Sequence, residues 1–178
     1  MRRLLGRGLP ALALIAGPVS AVAAPGIGAF AANAGARADS AIVTTLNESD
    51  LRALVLAAGG SIEAVHPFDE PSVRGKDKSG LKYLLIGSDC PKASPDRCSS
   101  VMMQVRYTAD DLVTLKGIND ANYSEAGVST WWDEGGKIVG FTRFVDLRGG
   151  VTWANLKANL RLLIEAQYAA QVSIWPED

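Results

Sequence analysis

The chain has 178 residues, with 18 Lys and Arg against 19 Asp and Glu, two Cys and one His. These are too few soft ligands for a zinc site and too little positive charge for a nucleic-acid binder, while the length suits one domain with a sizeable core. The averages hide two unlike pieces: Arg2, Arg3, Arg7 and Arg37 are the only charges in the first 38 residues, and the 14 basic and 19 acidic residues from Asp39 onward give that part a formal charge of −5.

Met1 to Gly8 holds Arg2, Arg3 and Arg7 without an acid, Leu9 to Ala24 is rich in Ala, Leu and Val, and Ala21-Val22-Ala23 has the small-x-small pattern of a cleavage site. This predicts a secretory signal peptide over 1–23, with cleavage after Ala23 or, at Ala36-Arg37-Ala38, as late as 38. Residues 24–45 are expected to be a flexible N-terminal segment and 46–178 the folded domain. Pro10, Pro18, Pro25 and repeated Gly make a poor spanning helix. The expectation is a periplasmic or secreted protein of the bacterial envelope, with no stable membrane insertion after cleavage.

One local pattern recurs at Leu46-Asn47-x-x-Asp50-Leu51, Tyr107-Thr108-x-x-Asp111-Leu112 and Val151-Thr152-x-x-Asn155-Leu156. In each, Asn or Thr is placed to cap free N–H groups, and the apolar residues on either side to close a hydrophobic staple. The first helix is predicted from Glu48 to Ala58, burying Leu51, Leu54 and Val55 and stopping at Gly59-Gly60. Ile62 to Val65 reads as a strand, followed by a charged loop from Pro67 to Ser79 with charges of both signs. Leu81 to Ile86 is apolar on both faces and so central. Cys90 and Cys98 enclose a turn-rich segment with two Pro; this spacing suits a structural disulfide better than a redox or metal pair, and on the loop-entropy model it contributes about 2.5 kcal/mol.

Val101 to Tyr107 alternates against Met102, Gln104, Arg106 and Thr108, as a half-buried strand does. A second helix is predicted over 109–121, with Leu112, Leu115 and Ile118 on one face. Gly127 to Asp133 and Lys137 to Leu147 flank Glu134-Gly135-Gly136, a hairpin signal. A two-residue turn at Gly135-Gly136 sets Trp132 opposite Val139, Thr130 opposite Phe141 and Trp131 over Gly140. The third helix starts at Trp153, repeats Leu156, Leu160, Leu163, Ile164 and Gln167 towards Ile174, and ends at Pro176. The order α-β-β-β-α-β-β-α is that of an α+β domain, an antiparallel sheet packed by helices.

Chemistry-bearing motifs are sparse. His66 has no nucleophile in a recognisable elbow, and neither H-E-x-x-H nor G-x-S-x-G occurs. The acid pairs Asp69/Glu70, Asp110/Asp111 and Asp133/Glu134 are sequence neighbours that point apart in an extended chain, and Asp110 and Asp111 fit the first turn of the second helix. Gly149-Gly150 fits a tight strand-to-helix connection better than a phosphate site. No catalytic residue, metal or cofactor is expected. Trp131 and Trp132 must point to opposite faces of their strand. Either Trp131 covers Gly140, or it forms with Trp153 and Trp175 an exposed patch for a partner.

The chain resembles the YbjN family of bacterial sensory transduction regulators, whose fold is similar to that of type III secretion chaperones. The resemblance rests on the Leu51 to Gly60 helix end, Tyr83-Leu84-Leu85-Ile86-Gly87, Leu115-Lys116-Gly117-Ile118-Asn119-Asp120-Ala121-Asn122, and Val145-Asp146-Leu147 before Gly149-Gly150-Val151-Thr152 and Asn155-Leu156. It covers roughly Leu46 to Tyr168. Related sequences have Asn-x-aromatic-Asn where this chain has Ala121, and locally Asn119 and Asn122 suit helix C-terminal capping. The resemblance implies a non-enzymatic sensory transduction regulator or chaperone-like module that binds another protein or forms a homodimer. The alternative is a small periplasmic enzyme or ligand binder using His66 with Asp69 or Glu70.

Overall fold

The computed structural model describes residues 37–65 and 68–175. The predicted signal peptide over 1–23, His66, Pro67 and Pro176 lie outside the described residues. In chain order the elements are β1 (Ile42–Val43), α1 (Glu48–Ala57), β2 (Ser61–Val65), β3 (Ser72–Lys76), β4 (Lys82–Ser88), β5 (Ser100–Thr108), α2 (Leu115–Ser124), β6 (Ser129–Asp133), β7 (Ile138–Asp146), β8 (Val151–Thr152) and α3 (Trp153–Ile174). Six strands form one antiparallel sheet in the order β2-β3-β4-β5-β7-β6, and β1 pairs with β8 in a separate ribbon. The class is α+β, an antiparallel sheet packed by helices, as expected.

Two of the three predicted caps form. The Asn47 side chain accepts from the Asp50 N–H at 3.0 Å while the Asp50 carboxylate accepts from the Asn47 N–H at 3.1 Å, a reciprocal capping box that starts α1. Gly59, at φ 80°, supplies the left-handed residue after the helix. Thr152 accepts from the Asn155 N–H at 3.1 Å and starts α3, whose 22 residues extend about 33 Å and bury Leu156, Leu160, Leu163, Gln167 and Ile174.

The third cap is displaced. Thr108 is the last residue of β5, paired with Ile138, so its backbone is committed to the sheet. The helix instead begins six residues later, where Thr114 accepts from the Gly117 N–H at 3.0 Å. Leu112 and Leu115, expected on a buried face, are 64% and 76% exposed; Ile118 alone of the three is buried. Asp110 therefore serves no helix start: it accepts from the Leu112 N–H in the connecting turn and from the Trp175 indole.

The expected loop 67–79 contains β3, which pairs with β2 and β4. Its sequence, Ser-Val-Arg-Gly-Lys, has one aliphatic residue. Val73 is buried, and Gly75 leaves room for the Tyr83 ring, which a Cβ would meet at 2.6 Å. Residues 42–43, placed in the flexible segment, are β1 instead, with Val43 buried. The β6–β7 register is the expected one, Trp132 with Val139, Thr130 with Phe141 and Trp131 with Gly140. The connection, however, spans Glu134 to Lys137, with the left-handed residue at Lys137 (φ 50°) rather than at either glycine.

α1 packs on β2, β3 and β4, α3 on β5 and β7, and α2 on α3 and β6. They meet one sheet face, from which Val73, Tyr83, Leu85, Val101, Met103, Val105, Val139 and Phe141 enter the core cluster with the apolar stripes of the helices. Side chains alternate across a strand, so the neighbours of those residues line the opposite face. Among the described residues no helix lies on that face.

Candidate functional site

The helix-free face of the sheet is not a plain solvent surface. Leu84 and Ile86 point into it from β4; they are 8% and 6% exposed, yet neither belongs to the core cluster. Register sets their neighbours. Arg74, Leu84, Gln104 and Thr142 form one row across β3, β4, β5 and β7, and Ser72, Ile86, Met102 and Phe144 form the next. Phe144 is half exposed.

Three side chains from separate elements stack over these rows. Trp131 lies on Gly140, where a methyl group would overlap the indole, and its Nε1 donates to Thr142 Oγ1 at 2.8 Å. The Arg106 guanidinium carbon is 5.7 Å from the Trp131 ring centroid and 5.2 Å from that of Phe68. Cation–π attraction at such distances contributes about 0.5–1 kcal/mol per ring at exposed sites. Arg106 Nε and Nη2 both donate to Gln104 Oε1, at 2.9 and 2.6 Å, which fixes the plane of the guanidinium. Loss of water around this group lowers its proton affinity below the ordinary arginine range. Phe68 is held by its N–H donating to Ser72 Oγ at 3.2 Å.

Phe68 and Arg106 divide two depressions. One, of about 390 Å³, is lined by Phe68, Leu84 and Gln104 together with Arg74, Lys82 and Arg106. The other, of about 470 Å³, is lined by Ile86, Met102, Cys90, Asp89 and Glu70 in addition to the dividing pair. Lys82 and Lys76 share Glu63, at 3.3 and 3.1 Å, and the hydrogen bond from Lys76 holds the Glu63 carboxyl below its ordinary range. Neither Arg74 nor Arg106 has an acidic partner among the described residues. The face is thus apolar at its floor and cationic along one side, on a domain of formal charge −5 from Asp39 onward.

The three tryptophans singled out from the sequence do not share a surface. Trp131 lies on the helix-free face over Gly140, the first of the two arrangements the spacing allows. Trp153 is 2% exposed beneath Arg37, whose guanidinium carbon is 4.9 Å from its ring. Trp175 packs edge-on to Tyr107 at 6.0 Å and donates to Asp110. The α3 residues that carry or follow these rings are committed to the core, so a patch joining Trp131, Trp153 and Trp175 is ruled out by packing. Trp132 faces the helices and packs against the core, with its Nε1 buried and unpartnered.

Cys90 and Cys98 are bonded, with sulfurs 2.09 Å apart, and staple the β4–β5 connection. Cys98 is fully buried; its backbone pairs with Leu46, and its Sγ occupies the space a Cβ on Gly87 would need. Glu70 borders the larger depression, while His66 lies outside the described residues. Among those residues no group of three or more His, Cys, Asp and Glu is placed to hold a metal ion, and no helix is long and apolar enough to cross a membrane.

Asn119 and Asn122, expected as helix C-terminal caps, lie within α2, whose C-cap is Glu125, and the Asn122 side chain instead reaches the neighbouring strand. Its amide nitrogen donates to the Thr130 carbonyl at 2.9 Å, and its oxygen accepts from the Thr130 N–H at 2.8 Å. One side chain thereby satisfies both outward-facing backbone groups of Thr130 on the edge strand β6.

Sequence reasoning missed Phe68, Arg74 and Arg106. The available signal was β4: a strand apolar on both faces needs cover on both, and among the described residues helices supply it on one only.

No protein-family model matches this chain, and no curated protein sequence matches it. Among solved structures, the chain is similar to an uncharacterized protein from Methanothermobacter thermautotrophicus, with a TM-score of 0.49 and 8% sequence identity over 71% of this chain and 96% of that one.

Proposed function

We propose that the protein is a non-enzymatic, exported binding module of the bacterial envelope, a regulator or chaperone-like protein of the kind the YbjN resemblance implies, and that its binding surface is the helix-free sheet face. The observation that carries this reading is the stack Trp131, Arg106 and Phe68 over Leu84 and Ile86. It places a fixed aromatic and cationic framework on a face that no helix covers among the described residues, and aromatic and Arg residues are the types enriched at interface centres. Export is supported by the basic-then-apolar leader and by the Cys90–Cys98 bond, which suits an oxidising compartment.

The test uses substitutions on opposite sides of the protein. Purified protein is selected against a random-peptide display library, and the recovered peptides are titrated against Phe144→Ser and Trp131→Ser on the sheet face, and against Leu162→Ser and Val172→Ser on the exposed side of α3. Binding is expected to weaken at least about tenfold, or about 1.4 kcal/mol, for the sheet-face pair and to stay unchanged for the α3 pair. Loss with the α3 pair alone refutes the assignment. A reporter that is active only outside the cytoplasm, fused after residue 45, checks export.

A further inference from the structure

We infer that the occupant of the helix-free face is a peptide segment whose carboxylates lie beside apolar side chains, with an acidic side chain seated between Arg106 and Arg74. This rests on the binding-module reading above and adds the chemistry of the partner.

The geometry of Arg106 carries the inference. Its Nε and one proton of Nη2 are used by Gln104 Oε1, and its guanidinium carbon lies 5.2 Å from the Phe68 ring centroid and 5.7 Å from that of Trp131. What remains is the end-on fork of Nη1 and Nη2, the edge that pairs two N–H groups with the two oxygens of a carboxylate. The same depression holds Arg74, which has no ion pair among the described residues, and Lys82, whose partner Glu63 it shares with Lys76. A guanidinium that is stacked, oriented and without an acid is an anion site already ordered, so the cost of fixing the side chain is met before the ligand arrives.

The floor specifies the rest of the ligand. Leu84 lies under the cationic depression and Ile86 and Met102 under its neighbour, so the carboxylate must be carried on an apolar framework. The next register row continues to half-exposed Phe144, so the apolar surface extends across three strands, at about 4.8 Å per strand, as a shallow platform rather than a tunnel for an acyl chain. Glu70 and Asp89 border the neighbouring depression, so the side carrying Arg74, Lys82 and Arg106 is where an acidic group is seated. The chain's own leader carries only positive charges. Charge complementarity therefore selects an acidic, apolar peptide.

Peptides selected on the purified protein are sequenced and titrated against wild type, Arg106→Gln, Arg74→Gln and Phe144→Ser, with melting temperatures recorded for each. The expected result is enrichment of Asp or Glu next to Leu, Ile, Met or Phe. Affinity should fall at least about tenfold in Arg106→Gln and measurably in Arg74→Gln, and should weaken as salt rises. Peptides without acids that lose affinity in Phe144→Ser but not in either Arg variant overturn this inference while leaving the surface assignment standing. Palmitate binding to a protein that selects no peptide overturns both.

Discussion

Asn122 is exposed at the end of a helix, a setting in which replacing Asn by Ala ordinarily changes stability by less than about 0.5 kcal/mol. Here its amide makes both backbone hydrogen bonds of Thr130, which is 6% exposed, and a third to the Ile118 carbonyl at 3.1 Å. Asn122→Ala leaves a buried donor and a buried acceptor unpaired, each costing about 1–2 kcal/mol, while gaining about 0.5 kcal/mol of helix propensity. The net loss is about 1.5–3.5 kcal/mol, or roughly 6–14 °C in melting temperature for a domain of this size. Thermal unfolding followed by circular dichroism reads it directly. Asn122→Asp retains the acceptor but sets a carboxylate against the Thr130 carbonyl, so it should lose as much. Because an edge strand with free N–H and C=O groups recruits other strands, both variants should also bind thioflavin T sooner on mild heating. If Asn122→Ala melts within about 2 °C of the parent, the amide is not what closes this edge.

Tyr83 is 1% exposed with an unpartnered hydroxyl, and burial pushes its pKa up to about 12 from the ordinary 10. The raised value favours the protonated folded state, so its contribution is intact below pH 10 and lost between about pH 10 and pH 12, by at most about 2–3 kcal/mol; Tyr83→Phe should flatten this alkaline decline in urea unfolding and cost little at pH 7. Gly140→Ala drives a methyl into the Trp131 indole and should destabilise by about 1–3 kcal/mol, with Trp131 fluorescence shifted to the red; adding Trp131→Ala should recover part of the loss. Reduction with dithiothreitol should lower stability by about 2.5 kcal/mol through the 90–98 loop, and an unchanged urea midpoint would show that the loop is already ordered in the unfolded chain.

Local chemistry was legible in the sequence wherever one residue decides the geometry. Asn47 and Thr152 cap the helices expected of them, Gly59 ends α1, and the β6–β7 register follows from the turn centred on Gly135-Gly136. Thr108 shows where this fails: the same Thr-x-x-Asp spacing is a cap only if the residue is not already held by a neighbouring strand, and its partner Ile138 lies 30 residues away. β3 was hidden because its apolar content comes from across the sheet, in the Tyr83 ring over Gly75. The candidate site was illegible for the same reason. Phe68, Arg74, Arg106 and Trp131 come from four separate segments, and only the strand order brings them together.

The ribbon of β1 and β8 joins residues 42–43 to residues 151–152, and the carbonyls of Asp39 and Ala41 accept the first free N–H groups of α3, from Ala154 and Trp153. A ribosome delivers the first partner of each pair more than 100 residues before the second. Val43 and Leu46, both buried when the domain is complete, therefore wait as exposed apolar surface while nearly all of the sheet is made, and contacts of such long sequence separation are slow to close. The fold is therefore complete only once α3 is present, and a fragment lacking residues 151–174 would leave β1 and the sheet face beneath α3 without a partner.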